Sequence, residues 1–521
     1  MDRPVQSRSV MTYHDVRGAG RKLQAKCAPG RPRSPKAMIL IDLGQDGDYH
    51  VHDNTFHNAE RAILERIFFR KREGGGFEAP PNPRPGAFDV CKPFRRRMVQ
   101  YLLSLNVRPY TSNEFVECYT GRRRVLYEKA AATFMLSGVR KSHSYVQAFI
   151  KREKVDFTEK DDPAPRIIQP RNPVYNVAVG RYIKAAEKAI VRSLAYMFKG
   201  PVVMKGMNTL EIGSVFREYS EDFEDWVYVG GDASRWDQHC RRESLQYEHG
   251  FYLGMFANNA ELRQLLTWQL KTVGFCETPE GQLFYKQDGG RCSGDMNTGI
   301  GNCLMVCAFL WSYFRTVGMM PKRDYRLVNN GDDWGVWMRR TDLRKLDGLA
   351  DFFDGLGYKM KLEDPVDVLE LCDFCQMRPI YDGVDWRMIR NFWPAMAKDL
   401  FSPKPVYSEK DWTWRRKALA DCGLSLSYGI PVVDAFYMMV GRGADGAYVR
   451  REVKGKLAYL ASRMKRGSSE VTDAARVSFF RAFDVTPDRQ VALELHLSKV
   501  QPTWSTPLEG KRHSTEIYYN D

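Results

Sequence analysis

No stretch of this sequence is apolar for long enough to cross a bilayer. The most hydrophobic run, "CLMVCAFLWSYF" from Cys303 to Phe314, is closed by Arg315 and predicts a buried helix. The first residues, "MDRPVQSRSV", lack the apolar core of a secretory signal, so work at a membrane would need something else to bring the protein there. No segment fits the phosphate loop G-x-x-x-x-G-K-[ST], which disfavours a P-loop motor, and no internal repeat is visible. The 11 cysteines are odd in number and lack small-module spacing, which points away from a disulfide scaffold and towards reduced thiols in a cytosolic setting. "CDFC" at Cys372 to Cys375 is their one close pair, with no second pair to complete a zinc site. Acid is also in short supply. Lys and Arg number 79 against 64 Asp and Glu, a formal charge of +15 that favours polyanionic partners.

What is present is ample material for burial, and 521 residues exceed one hydrophobic core, so several subdomains are expected. Residues 1–80 mix basic, Gly-rich and Pro-rich pieces around "NAERAILERIFFRK" and read as an arm and linker region. Residues 81–225 carry helical patterns broken by basic clusters such as "GRRRVLYEKAAATFML". From 226 to 377 strand, helix, hairpin and helix alternate. Residues 378–500 read as mostly helical with aromatic faces, and 501–521 as a loose polar tail.

The chemistry gathers in the alternating part. "WVYVGGDASRWDQHC" is an apolar strand ending at Asp232, and "VNNGDDWGVWM" places Asp332 and Asp333 at a hairpin tip. Asn-Gly is an ordinary hairpin device. Clustered acids without Cys or His companions, however, suit hard cations, above all Mg²⁺ with substrate phosphates. Two divalent cations between Asp232 and Asp332 would relieve the repulsion and stabilise an in-line phosphoryl displacement. In "GGRCSGDMNTGIGNCLMVC", glycines precede a helix whose Thr298 and Asn302 share a face; a capped, buried helix would read the same way. If Asp237, Ser293 and Asn302 converge, they offer an acceptor, a hydroxyl and an amide to a small group such as a ribose 2′-OH. Lys359 and Lys361, on one face of a strand, include a candidate general acid for a pyrophosphate leaving group, or simply face solvent.

In this order the segments resemble the palm motifs of viral RNA-dependent RNA polymerases, most closely the plus-strand tombusvirus and carmovirus group. "GDASRWDQHC", "CSGDMNTGIGNCL", "NNGDD", "GYKMKLED" and "LCDFCQMRPI" are similar to that family's five successive motifs. "REKVDFTEKDDPAPRIIQPRNPVYN" is similar to its basic nucleotide-entry motif, and roughly residues 60–410 are covered. Trp236 stands where the group usually has Phe, and Trp334 and Trp337 where smaller residues are commoner.

The resemblance implies an α+β right-hand polymerase: fingers over 81–225, a palm over 226–377 with an antiparallel sheet and an inserted fingers segment at about 241–285, and a helical thumb over 378–500. It implies that Asp232 and Asp332, assisted by Asp333, hold Mg²⁺, with Mn²⁺ a possible substitute. Asp237, Ser293, Thr298 and Asn302 would sense the ribose; Lys151, Arg152, Lys154, Arg166 and Arg171 would meet the triphosphate. Cys372 and Cys375 become packing residues beside the primer strand. RNA template and nascent strand, NTPs, and viral or host replication proteins at a membrane in the host cytoplasm follow as partners, with primer-independent initiation. A reverse transcriptase would need a steric block where Asp237 stands; an RNA-binding scaffold would not need Asp232, Asp332 and Asp333 together.

Overall fold

Two sheets organise the chain. The smaller has four antiparallel strands in the order Tyr325–Asn330, Asp333–Arg339, Trp226–Ala233, Met360–Leu362. Alternation along these strands feeds two separate cores. Val227, Val229, Trp334, Val336 and Met338 enter the main helical core, whereas Tyr228, Val328 and Trp337 pack with Phe216 and Phe374 on the other face. Strands covered on both faces need apolar residues at nearly every position, which is why "WVYV" and "WGVWM" lack polar alternation.

The main core is centred on helix Thr298–Thr316, in which every residue from Ile300 to Phe314 is buried. A helix apolar all round can lie only in an interior, as its sequence predicted. Across it runs helix Pro173–Phe198. Asn172 opens that helix by accepting from the Val174 N–H at 2.9 Å with proline in the first turn, and Lys199 at φ 61° closes it.

The larger sheet has six strands, in the order Thr12–Val16, Arg21–Cys27, Gly281–Asp288, Lys271–Thr278, Val146–Ile150, Ile167–Ile168. Helix Phe56–Ala62 and the π-helical turn Ile63–Phe68 cover one of its faces with Phe56, Ile63, Ile67 and Phe68. Early residues also reach elsewhere: Tyr49–Val51 pairs with Lys154–Asp156, and Met38–Ile39 with Phe401–Ser402. The segment read as an arm and linker is thus stitched by backbone pairing to three remote parts of the chain.

After the hairpin Met377–Tyr381 and Trp386–Arg390, helices Glu409–Ser427, Val433–Gly441, Asp473–Phe483 and Pro487–Lys499 surround a third core that also holds Ala37 and Ile41. The computed structural model describes residues 12–16, 21–27, 33–44, 47–72, 75–159, 162–444, 456–461, 463–464, 467 and 470–504. Residues 1–11, and the tail from 505 onward, lie outside them. Among the described residues no helix is long and apolar enough to cross a membrane.

Candidate active site

The hairpin Tyr325–Asn330 and Asp333–Arg339 turns at Gly331 and Asp332, and Gly331 takes φ 98°, a conformation that favours glycine. Asn329, fully buried, staples the turn from inside: its amide donates to the Gly331 carbonyl at 2.8 Å and its Oδ1 accepts from the Gly331 N–H at 3.2 Å. Pairing of Gly231 with Trp334, carried one residue further, sets Asp232 opposite Asp333. Opposed residues in an antiparallel ladder have Cα atoms about 4.5–5.5 Å apart and side chains on one face. Lys361 pairs with Asp232 from the other side. Trp334, on the opposite face, lies over Gly231, where a Cβ would come within 2.2 Å of its ring. The large side chain next to the acidic pair is accommodated by a glycine across the ladder.

Beside the hairpin tip opens a cleft of about 340 Å³ whose lining includes Asp237, Ser293, Thr298, Asn302, Asp332 and Arg166. Four separate stretches of chain deliver them, around residues 166, 237, 293–302 and 332. Asp237 lies in the short helix Trp236–His239 that follows strand Trp226–Ala233. Thr298 and Asn302 come from one face of the buried helix, and the Thr298 hydroxyl donates to the Cys292 carbonyl at 2.8 Å. Ser293 donates to the Ile167 carbonyl at 3.4 Å, tying its loop to the six-stranded sheet. Burial, with repulsion from Asp332, pushes the Asp237 carboxyl up to about 6, against Arg291 and a hydrogen bond from Asn302. Asp332 is also raised, by burial first and then by Asp232, against Arg166 and Lys205. Each acid carries a neighbour's charge, so they sit close enough to couple. The Asn302 Oδ1, buried in the same cleft, meets no donor among the described residues.

Other sequence candidates are engaged elsewhere. The Arg171 guanidinium is enclosed with Asp295, both nearly without exposure, and also donates to the Ser144 carbonyl at 2.5 Å. Lys154 points at the carbonyls of Lys398 and Phe401, the latter at 2.7 Å, and its burial lowers its pKa to about 8. Neither lines the cleft. Arg152 donates to the Pro403 carbonyl at 3.0 Å, and Lys151 and Arg166 flank Glu153 at 2.6 and 3.3 Å. Lys359 precedes the strand rather than sharing it with Lys361, and forms an ion pair with Asp354 at 2.8 Å. Cys375 packs under the hairpin, where its Sγ accepts from the Asn330 amide at 3.2 Å.

The structure adds residues that sequence reasoning passed over. Arg66, Lys205 and Arg235 line the cleft with Arg166, giving it a cationic wall. Arg66 lies in "NAERAILERIFFRK" and Arg235 in "GDASRWDQHC", but nothing in those patterns assigned them a role. Glu363 lies on the acidic face, where a Cβ on Gly230 would come within 2.0 Å of its carboxylate; burial first, then Asp373, Asp333 and Asp232, raise its pKa. It was visible at the end of "GYKMKLED" without an assigned role.

Asp232, Asp332 and Asp333 offer only oxygen donors, the chemistry a hard cation takes. Among the described residues no group of three or more His, Cys, Asp or Glu side chains is arranged to hold a metal ion by itself. Mg²⁺ characteristically uses one or two carboxylates plus waters and substrate phosphates, so a pair of opposed carboxylates beside a cationic cleft fits it.

The family model described as viral RNA dependent RNA polymerase matches residues 26–505. An RNA-directed RNA polymerase of Melon necrotic spot virus is 36% identical over 473 residues, covering 89% of this chain and 58% of that protein. One of Turnip crinkle virus is 34% identical over 477 residues, with shares of 90% and 60%. One of Carnation mottle virus is 37% identical over 452 residues, with shares of 86% and 58%. The chain therefore spans about 58–60% of the length of these relatives.

Proposed function

The chain belongs to the family of viral RNA-dependent RNA polymerases, and from that membership we propose that it copies a plus-strand RNA genome by template-directed nucleotidyl transfer from NTPs, without a primer. The observation that carries this reading is the placement of Asp232 opposite Asp333, with Asp332 at the turn, beside a cleft that unites Asp237, Ser293, Thr298 and Asn302. In right-hand terms, the four-stranded sheet is the palm, the six-stranded sheet and the helices before residue 226 the fingers, and the helices after 390 the thumb.

In the reaction the 3′-OH of the growing RNA attacks the α-phosphorus of the NTP; the new O–P bond forms as the bond to pyrophosphate breaks. Asp232 and Asp332, with Asp333 assisting, would hold Mg²⁺ or Mn²⁺, which when bound lowers the pKa of the attacking hydroxyl and offsets charge on both entering and leaving oxygens. Arg166, joined by Arg66, Lys205 and Arg235, holds the triphosphate. Asp237 accepts the ribose 2′-OH, and the unpaired Asn302 Oδ1 and the Ser293 hydroxyl complete its surroundings. Lys361, on the face of Asp232, is better placed than Asp354-bound Lys359 to give the departing pyrophosphate a proton. Fixed donors in a half-closed cleft supply positioning and electrostatics, the bulk of what phosphoryl transfer needs. The working setting is a membrane-associated replication complex in the host cytoplasm, reached through viral or host partners.

The decisive experiment is NTP incorporation by the purified chain on a short RNA template, primed and unprimed, with Mg²⁺ or Mn²⁺, beside Asp332→Ala. Incorporation by the parent and its loss in the variant, with RNA binding retained, is the expected result. More than a few per cent of parental activity in Asp332→Ala would overturn the metal role.

A further inference from the structure

Behind the sugar-facing residues lies an ion pair that the reaction as described does not use. Arg291 and Glu248 meet with both side chains fully buried. Glu248 is engaged at both oxygens, accepting also from the Tyr252 hydroxyl at 2.7 Å and the Asn297 amide at 2.8 Å. The network continues from Asn297 to Gln269 at 3.0 Å and from Gln269 to His249 at 3.1 Å. Gly301 makes room for it, since a Cβ there would fall 2.1 Å from a Glu248 oxygen.

Arg291 is not saturated. Its Nε and Nη1 are buried and meet no acceptor among the described residues, although Arg291 lines the same cleft as Asp237, Ser293 and Asn302. Its main-chain N–H donates to the Asp237 carbonyl at 2.9 Å, so the two residues are coupled through the backbone. Buried donors are rarely left without partners, and a guanidinium held from one side by a carboxylate is aimed by it.

We propose that Arg291, clamped by Glu248, is a positioning residue of the ribose pocket, whose positive charge, fixed in the cleft it shares with Asp237, favours the ionised Asp237 carboxylate as acceptor of the incoming 2′-OH. The inference rests on the polymerase reading and deepens it, giving the pocket's sugar selectivity a second layer. An interior pair that served packing alone would have no bearing on which sugar is accepted.

The test compares NTP and dNTP incorporation by the full chain in three forms: parent, Arg291→Lys, and the neutral pair Glu248→Gln with Arg291→Gln. The double change avoids an uncompensated buried charge and so preserves folding better than either single change. Loss of one charge-assisted contact raises KM for NTP about tenfold, more than it lowers kcat, while KM for dNTP stays put. Selectivity falls accordingly, with RNA affinity unchanged. Arg291→Lys, retaining charge but not the guanidinium fork, lies between parent and neutral pair. Parental selectivity in a folded neutral pair, or equal loss with both substrates, would overturn the proposal. If the neutral pair fails to fold, undiminished selectivity in Arg291→Lys does so. Asp237→Ala separates the two levels: if it loses selectivity while the Arg291 variants keep it, only this inference falls; if the parent incorporates nothing, the polymerase reading falls.

Discussion

Asp237 is the residue at which burial and function conflict most measurably. Its folded pKa of about 6 stands above the ordinary carboxylate value, so the folded chain binds this proton more tightly than the unfolded one. Burying the ionised form costs nothing below the unfolded pKa, costs more as pH rises towards 6, and is a constant penalty above that. Asp237→Asn lacks the penalty. In metal-free buffer its Tm advantage over the parent should open between pH 4 and 6.5 and then level off at roughly 2 °C; thermal scans across that range check it, and a gap that closes with rising pH would contradict the assignment. On substrate, Asp237→Ala should weaken preference for NTP over dNTP, as read in a competition assay. The acids at 232, 237, 332 and 333 were legible because an apolar run ending in Asp and an Asn-Gly hairpin are local patterns. Arg171 and Lys154, which the family resemblance assigned to the triphosphate, are held elsewhere, because a motif position says nothing of a side chain's partners. Asp295, more than a hundred residues away, encloses the first, and two main-chain carbonyls near residue 400 hold the second.

At the scale of the element, the acidic hairpin depends on large and small residues matched across the ladder. Trp334 occupies the space over Gly231, and Tyr228 that over Gly335, where a Cβ would meet its hydroxyl at 2.1 Å. Gly231→Ala should therefore cost about 1–3 kcal/mol in chemical denaturation. Combining it with Trp334→Leu should cost less than the sum of the two single changes; strict additivity would show that the pair is not in contact. The central strands and the buried helix could be read from sequence because each is an unbroken apolar run. The early strands could not: they are two to seven residues long, punctuated by Pro and Gly, and pair with segments far along the chain.

For the molecule as a whole, the cationic wall and the excess of basic residues predict RNA binding with a steep salt dependence. Affinity should fall by roughly 10³-fold between 50 and 200 mM salt, measured by fluorescence anisotropy on a single-stranded RNA; a flat titration would exclude a phosphate-tracking path. The mixture of helix and strand was legible in the local patterns and in the family resemblance, whereas closure of the chain on itself was not. Strand Met38–Ile39 pairs with Phe401–Ser402, the Trp412 indole donates to the Leu40 carbonyl at 2.7 Å, and Tyr49–Val51 grips Lys154–Asp156. These contacts act as a clasp between two flanks of the chain. Swinging the flanks apart like jaws would tear those pairings, so the fold resists opening along that side.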